Sequence, residues 1–362
     1  CASARMAAHA YRAATMERDR ATGRLSPWNG LIEDVGLRAW LAEAFGDSRV
    51  WSPTQIESYA KCPWAYYSNR LLRLDVREDP DGDIDPRARG LVLHDALRRF
   101  YESAGRRVGG PVFLEATDAE WAQPLLRESL ASALAGAAGK VWLGHPALRD
   151  LKHAELEKML LAFLDFEIEE NRKAFDGRTT AGRTVRTAVA EHEIAFDEAV
   201  LERNGITFRF RGIMDRVEVG ADERAPGSWV AAVDYKTTIY ACPGAGKLEA
   251  WDDGVVLQVP LYAWALSVLR PGATAARVEY RAIKQPKRVH SLSLVRVGKA
   301  GVAEGVEERS RMDGALDAVA RHVRRIRAGE FPAAPAPSCN CPPFCHAWDI
   351  CRVRGGPSTG RD

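Results

Sequence analysis

The sequence predicts an α/β fold, a mixed sheet of about five strands flanked by helices, and three observations carry that expectation. First, two runs rich in β-branched and aromatic residues, Ile206 to Val219 and Trp229 to Thr237, are separated by the Gly/Pro/Asp-rich stretch GADERAPGS and read as a hairpin. Second, a further strand, TVRTAVAEHEIAF (Thr184 to Phe196), precedes the hairpin, while VEYRAI and SLSLVRV follow an apolar helical run, LQVPLYAWAL (Leu257 to Leu266). Third, residues 118–174 are rich in Ala, Leu and Glu with helical periodicity, as in LKHAELEKMLLAFLDFEIEEN, and read as a helical insertion.

The hairpin carries the first chemistry. Asp215 and Asp234 each lie roughly ten residues from a turn centred near Arg224, so they fall almost opposite one another, about 5 Å apart across the strands. Side chains alternate faces along a strand, which places Asp234 and Lys236 on one face, about 7 Å apart, with Tyr235 on the other. Two carboxylates suit a hard divalent cation such as Mg²⁺, which binds through one or two acids plus substrate phosphate. A cation so held lowers the pKa of its water and neutralises charge on a phosphate, and a neighbouring ammonium orients the nucleophile or stabilises the transition state. The same residues also read as strand ends or solvated pairs with Arg216 and Lys236, because 28% of the chain is charged.

A length of 362 residues with 46% hydrophobic content is ample for a folded core. The net charge of +2 neither requires nor excludes a nucleic-acid partner, since a local basic stripe suffices to bind phosphates. Arg98, Arg99, Arg106 and Arg107, and Lys284, Lys287 and Arg288, are candidates for such a stripe or for solvated faces. The stretch ACPGAGKL around Lys247 has Ala241 and Leu248 where a phosphate-binding loop needs glycine and a hydroxyl, so no ATPase motif is expected. Neither a secretory signal nor a membrane span is apparent, and a reducing cytoplasm is the expected compartment. There are seven cysteines, Cys1, Cys62, Cys242, Cys339, Cys341, Cys345 and Cys351, the last four crowded into SCNCPPFCHAWDIC. Thiols grouped in a reducing setting favour metal over disulfides, and tetrahedral zinc and a four-cysteine iron–sulfur cluster both fit.

From about Ser52 to about Arg354 these features resemble the RecB-like branch of the PD-(D/E)xK nuclease superfamily. SPTQIESYAKCPWAYY (Ser52 to Tyr67) resembles that branch's opening segment, GLVLHDALRRF (Gly90 to Phe100) its histidine-bearing helix, and LQVPLYAWAL its helix with glutamine and tyrosine. The resemblance implies a restriction-endonuclease-like fold in which Asp215 and Asp234 bind Mg²⁺ or Mn²⁺ and His94 is an additional ligand. It further implies that Lys236 positions the attacking water and that Gln258 and Tyr262 lie near the scissile phosphate. Gln258 and Tyr262 are four apart and so share one helix face. Relatives that carry a [4Fe–4S] cluster hold it with one cysteine before the core and three after it, ending C-x₂-C-x₅-C. That pattern implies Cys62, Cys341, Cys345 and Cys351 as ligands of a structural staple. Three residues rather than two separate Cys341 from Cys345, however, and Cys339 is a rival.

The organisation expected is a run-in over 1–50 from a larger subunit, a nuclease domain over 51–355 that includes the insertion and the cysteine-rich tail 339–351, and a disordered tail over 356–362. The insertion either walls a channel for single-stranded DNA or packs against the sheet. By resemblance the chain is similar to the nuclease domain of AddB-type helicase-nucleases. This implies a deoxyribonuclease, expected to be an exonuclease on single-stranded DNA. It would work with a helicase subunit or domain in double-strand break processing and recombinational repair. The rival readings are a stand-alone iron–sulfur nuclease of the CRISPR-associated type and a catalytically silent DNA-binding subunit.

Overall fold

The computed structural model describes residues 2–74, 83–176, 183–184, 187–220, 228–239, 249–298, 301–338, 341, 345–347 and 350–351. Cys1, Cys242, Cys339, the stretch around Lys247 and the tail 356–362 lie outside the described residues. The chain opens with α1 (Ala2–Thr22) and α2 (Val35–Ala44), the latter started by Asp34, whose carboxylate accepts the Leu37 N–H at 2.8 Å. A short strand β1 (Val50–Trp51) leads into α3 (Pro53–Lys61) and α4 (Pro63–Tyr66), each opened by a proline whose missing N–H is no loss in a first turn. Pro63 also excludes the helical conformation from the residue before it, so Cys62 sits extended at φ −163° and ψ 110° between the two helices.

Asp85 caps α5 (Pro86–Val108) by accepting from Arg87 and Ala88 N–H at 2.7 and 3.0 Å. The expected insertion is α6 (Ala119–Ala137) and α7 (Arg149–Asp176). Then come β2 (Arg183–Thr184), β3 (Thr187–Arg203), β4 (Ile206–Gly220), β5 (Trp229–Lys236), α8 (Glu249–Asp252) and α9 (Gln258–Leu269). The described elements end with β6 (Thr274–Ala282), β7 (Lys287–Ser293), β8 (Val295–Gly298), β9 (Gly301–Glu304) and α10 (Val306–Arg327). Among the described residues no helix is long and apolar enough to cross a membrane.

The main sheet has six strands in the order β1-β4-β5-β6-β7, with β3 paired to β4. The expected hairpin forms: β4 and β5 are antiparallel, with Arg216 opposite Val233. β5 and β6 are parallel, an arrangement that needs a crossover, and α9 supplies it. The stretch SLSLVRV divides between β7 and β8, and β8 joins β2 and β9 in a second, three-stranded sheet that the sequence did not announce.

Helices cover both faces of the main sheet. On one, Ile56 and Tyr59 of α3, Leu261 of α9 and Val319 and Val323 of α10 pack with Phe208, Phe210, Met214, Val278 and Tyr280. On the other, Leu93 and Phe100 of α5, Leu130 of α6 and Leu160 and Phe163 of α7 pack with Val233, Tyr235 and Ile283. The insertion therefore lies against the sheet, and each large side chain so buried contributes about 1.5–3 kcal/mol.

A layer of buried ions lies under α5 and α7. Arg216 on β4 donates through Nη1 to Glu167 (2.7 Å), Tyr101 (3.0 Å) and Tyr235 (3.2 Å), and it pairs with Glu218. Arg281 on β6 reaches both oxygens of Glu167 at 2.6 Å and pairs with Glu279 at 2.7 Å, while Arg277 donates to Glu218 at 2.7 Å. Burial opposes ionisation of Glu279, yet Arg288, Arg277 and Arg281 outweigh it and hold the carboxyl down at about 2.

Residues 30–45 are knitted into the same domain. Phe331 donates its N–H to Gly30 O at 2.6 Å, Ile32 donates to Gly329 O at 2.9 Å, and Leu41 and Phe45 join the first core. Gly30 has φ 114°, and a Cβ there would collide with the Phe331 carbonyl.

Two outcomes test this packing. Arg281→Leu removes one buried guanidinium from Glu167 and Glu279, leaving Arg216 on the first and Arg277 and Arg288 on the second, and is expected to remove about 3 kcal/mol from the urea unfolding free energy. His322 of α10, 5% exposed, donates Nε2–H to Asp253 O at 2.7 Å, and burial pushes its pKa down to about 4. The unfolded imidazole, with a pKa near 6.5, binds a proton that the folded one refuses, so stability falls as pH drops from about 6.5 to about 4. Urea midpoints across that window are expected to show a loss of up to roughly 3 kcal/mol that His322→Gln flattens.

Candidate active site

β5 lies between β4 and β6 and is buried on both faces. Its residues therefore split by parity: Val233 and Tyr235 enter the layer under α5 and α7, while Ala232 joins the core under α9. Asp234 and Lys236 follow Ala232 on the α9 face, at the strand's C-terminal end.

β4 delivers Asp215 by breaking the same rule. Met214 and Val217 both belong to the α9-side core although they are three apart, while Arg216 reaches the opposite layer, so the strand exchanges faces around Asp215. On β3 the residue opposite, Glu193, has a left-handed φ of 50°, between the pairs Ile194↔Met214 and His192↔Arg216. The left-handed residue coincides with the exchange of faces, and Asp215 there reaches the Tyr235 amide near the end of β5.

The groups then meet. Asp215 Oδ2 accepts the Tyr235 N–H at 2.7 Å, and its Oδ1 accepts from His94 Nδ1 of α5 at 3.2 Å. Asp234 Oδ2 lies 2.5 Å from Lys236 Nζ, and Asp234 Oδ1 accepts from Gln258 Nε2 at 3.3 Å. Lys236 also donates to Gln258 Oε1 at 2.7 Å and stands 4.7 Å over the Tyr280 ring. Gln258 Nε2 is 3.3 Å from Tyr262 Oη, the other member of the same face of α9. The structure thus brings Asp215, Asp234, Lys236, His94, Gln258 and Tyr262 into one constellation.

Its electrostatics follow from burial and charge. Burial first, and the nearby Asp215 carboxylate with it, push Asp234 up to about 6 against the pull of Lys236. Burial lowers the pKa of Lys236, but Asp234, Glu57 and Asp215 outweigh it and hold the ammonium above its ordinary value. His94 behaves likewise: Asp215 overcomes desolvation and raises it. Two acids, an imidazole and one lysine leave negative charge under-compensated in a buried place, and oxygen donors beside an imidazole are the chemistry a divalent cation takes up. Among the described residues, no three His, Cys, Asp or Glu side chains are already gathered closely enough to hold a metal. The acids are engaged by His94, Gln258, Lys236 and a backbone N–H instead.

The four described cysteines, Cys62, Cys341, Cys345 and Cys351, are free thiols. Burial raises Cys62, and Cys351 and Cys345 add to the shift; Cys341 feels the same two neighbours. They lie within electrostatic reach of one another without forming a closed ligand set. His346, beside Cys345, docks the tail by bonding Ala65 O at 2.9 Å through Nε2.

Three of the seven basic candidates are paired, Arg98 and Arg99 with Asp95 and Arg288 with Glu170 at 2.8 Å; Arg106, Arg107, Lys284 and Lys287 are exposed, with Arg107 5.0 Å over the Trp121 ring. Glu191 pairs with Arg270 and Glu193 approaches Arg98, so neither joins the site. Sequence reasoning missed two contributors, Glu57 and Tyr280. The signal for Glu57 was an acid on the apolar stripe of α3, where Pro53, Ile56 and Ala60 are also buried.

A family model described as the PD-(D/E)XK nuclease superfamily matches residues 50–352. The chain is also 26% identical over 274 residues to the B-type subunit of an ATP-dependent helicase/deoxyribonuclease of Moorella thermoacetica, covering 73% of this chain and 22% of the relative.

Gly212 on β4 tests how tightly the site is packed. Phe196 and Tyr262 meet edge to face above it at 6.0 Å, and a Cβ there would lie 2.8 Å from Phe196 and 3.0 Å from Tyr262. Gly212→Ala is expected to remove about 1–3 kcal/mol of stability, read by thermal unfolding, because the rings cannot separate without disturbing Gln258.

Proposed function

Because the chain belongs to the PD-(D/E)XK nuclease superfamily, we propose that it is a divalent-metal-dependent deoxyribonuclease that acts on single-stranded DNA as part of a helicase-nuclease. The observation that carries this reading is the meeting of Asp215, Asp234 and Lys236 at the C-terminal end of β5, with Gln258 bridging acid and amine. Asp215, Asp234 and His94 are the residues we assign to a Mg²⁺ or Mn²⁺ ion. When bound, the ion supplies a more acidic water and neutralises charge on the phosphate. In hydrolysis the water oxygen forms a bond to phosphorus as the bridging P–O bond breaks; the water gives up a proton to solvent, and the departing sugar oxygen takes one from solvent to leave as a hydroxyl.

Lys236 is held as an ammonium, so it does not accept the water's proton. It orients the incoming oxygen and offsets charge that builds on the phosphate. Its bond to Gln258 Oε1 and its ion pair with the Asp234 carboxylate fix its direction. Tyr262, packed by Phe196 and bonded to Gln258, is assigned to the substrate phosphate. The relative is a subunit of a helicase/deoxyribonuclease, of whose length this chain spans 22%, and it supports a helicase partner; a place in double-strand break repair is part of the same proposal.

A second element of the reading is a [4Fe–4S] staple on Cys62, Cys341, Cys345 and Cys351. Their mutual electrostatic influence, the extended Cys62 and the docking of His346 support it. Joining residue 62 to residues near 350 restricts the unfolded chain by about 4–5 kcal/mol in the cross-link approximation. Iron and sulfide content and visible absorption of anaerobically purified protein test it, and a colourless, iron-free sample that folds normally rules it out.

The decisive experiment incubates purified protein with end-labelled single strands and Mg²⁺. Cleavage is expected, to be abolished by EDTA and reduced about 10²–10³-fold or more by Asp234→Ala and by Lys236→Ala. Tight binding by the parent chain without cleavage in either Mg²⁺ or Mn²⁺ would favour the silent DNA-binding subunit instead.

A further inference from the structure

Helix α9 starts without a cap of its own. Its N-cap position is Leu257, whose side chain has no acceptor for the open amides of the first turn, and Pro260 within that turn has no amide to satisfy. The acceptor comes from another helix: Glu57 Oε1 of α3 takes the N–H of Leu257 at 2.7 Å and the N–H of Gln258 at 3.1 Å. Glu57 is only 3% exposed. A carboxylate that deep needs compensation, and two N–H donors at the positive end of a helix dipole supply it.

Gln258 is the first residue of α9 and the one that touches most of the constellation. Its side chain accepts from Lys236 and from Tyr280 Oη (3.4 Å) and donates to Asp234 and Tyr262. Such a bridge holds its length only if the Cα that bears it is fixed, and the bond from Glu57 to the Gln258 amide fixes it. Resting on the nuclease reading above, we propose that Glu57 is a positioning residue: it anchors the start of α9 and, through Gln258, sets the placement of Lys236 relative to Asp234. Its carboxylate serves backbone amides rather than substrate.

The test compares Glu57→Ala, which removes the acceptor, with Glu57→Gln, which keeps an acceptor oxygen without the charge. Amide hydrogen exchange on the full chain is expected to speed up about 10- to 100-fold at Leu257 and Gln258 in Glu57→Ala, with α10 still protected, and to be largely restored in Glu57→Gln. Unchanged protection at those two amides overturns the proposal, whether or not the protein cleaves DNA. Should Glu57→Ala fail to fold, Glu57→Asp, one methylene short of the amides, takes its place. In the cleavage assay Glu57→Ala is expected to lower kcat by about tenfold or more with KM nearly unchanged. It should add no further loss when Gln258→Ala is already present. Equal losses in both backgrounds mean that Glu57 does not act through Gln258, and the proposal falls. A parent chain that cleaves nothing refutes the nuclease reading alone and leaves the exchange result to decide Glu57.

Discussion

Because β5 runs between β4 and β6 and is covered on both faces, its alternate side chains are committed to two unlike surroundings. Tyr235 enters a layer of compensated ions, and Asp234 and Lys236 enter a place where charge is not fully compensated. One strand thus keeps a stable ionic interior and an electrostatically tense site apart by the thickness of a peptide backbone. Moving the strand by one residue would exchange the two sets.

The two layers also differ in how they are satisfied. In the ionic layer Arg216, Arg277 and Arg281 face Glu167, Glu218 and Glu279, and each carboxylate meets guanidinium forks. Buried ion pairs of this sort add little net stability over well-packed apolar groups, but they tolerate few alternative registers. At the other face the groups are paired with a histidine, an amide and a lysine, contacts that a cation or a phosphate can replace.

Much of this was legible in the chain. The hairpin follows from two β-rich runs and a Gly/Pro loop, and the shared face of Asp234 and Lys236 follows from strand alternation alone. Gln258 and Tyr262 share a helix face by their spacing of four. What could not be read was non-local: His94 meets Asp215 across 121 positions and Glu57 meets Leu257 across 200, and no periodicity encodes such contacts. The exchange of faces at Asp215 was hidden too, because nothing in the residue pattern marks it or the left-handed Glu193 opposite. RVEYRA on β6 did carry a sign of the ionic layer, with Arg277, Glu279 and Arg281 alternating along a strand that is buried from Ala275 onward. The second sheet was missed because strands of two and four residues leave almost no pattern.

The clasp between residues 30–32 and 329–331 has a practical corollary for anyone trimming this protein. The family match begins at residue 50, yet Leu41 and Phe45 lie in the main core, Phe45 stacks on Trp51 at 5.5 Å, and Gly30 shares a backbone hydrogen bond with Phe331. A shortened version cut at the edge of the matched region would lose that plug and leave greasy surface around Trp51 and Phe331 open to water. Expression boundaries are better drawn upstream of Asp19, which is buried and whose carbonyl accepts from Asn29 Nδ2.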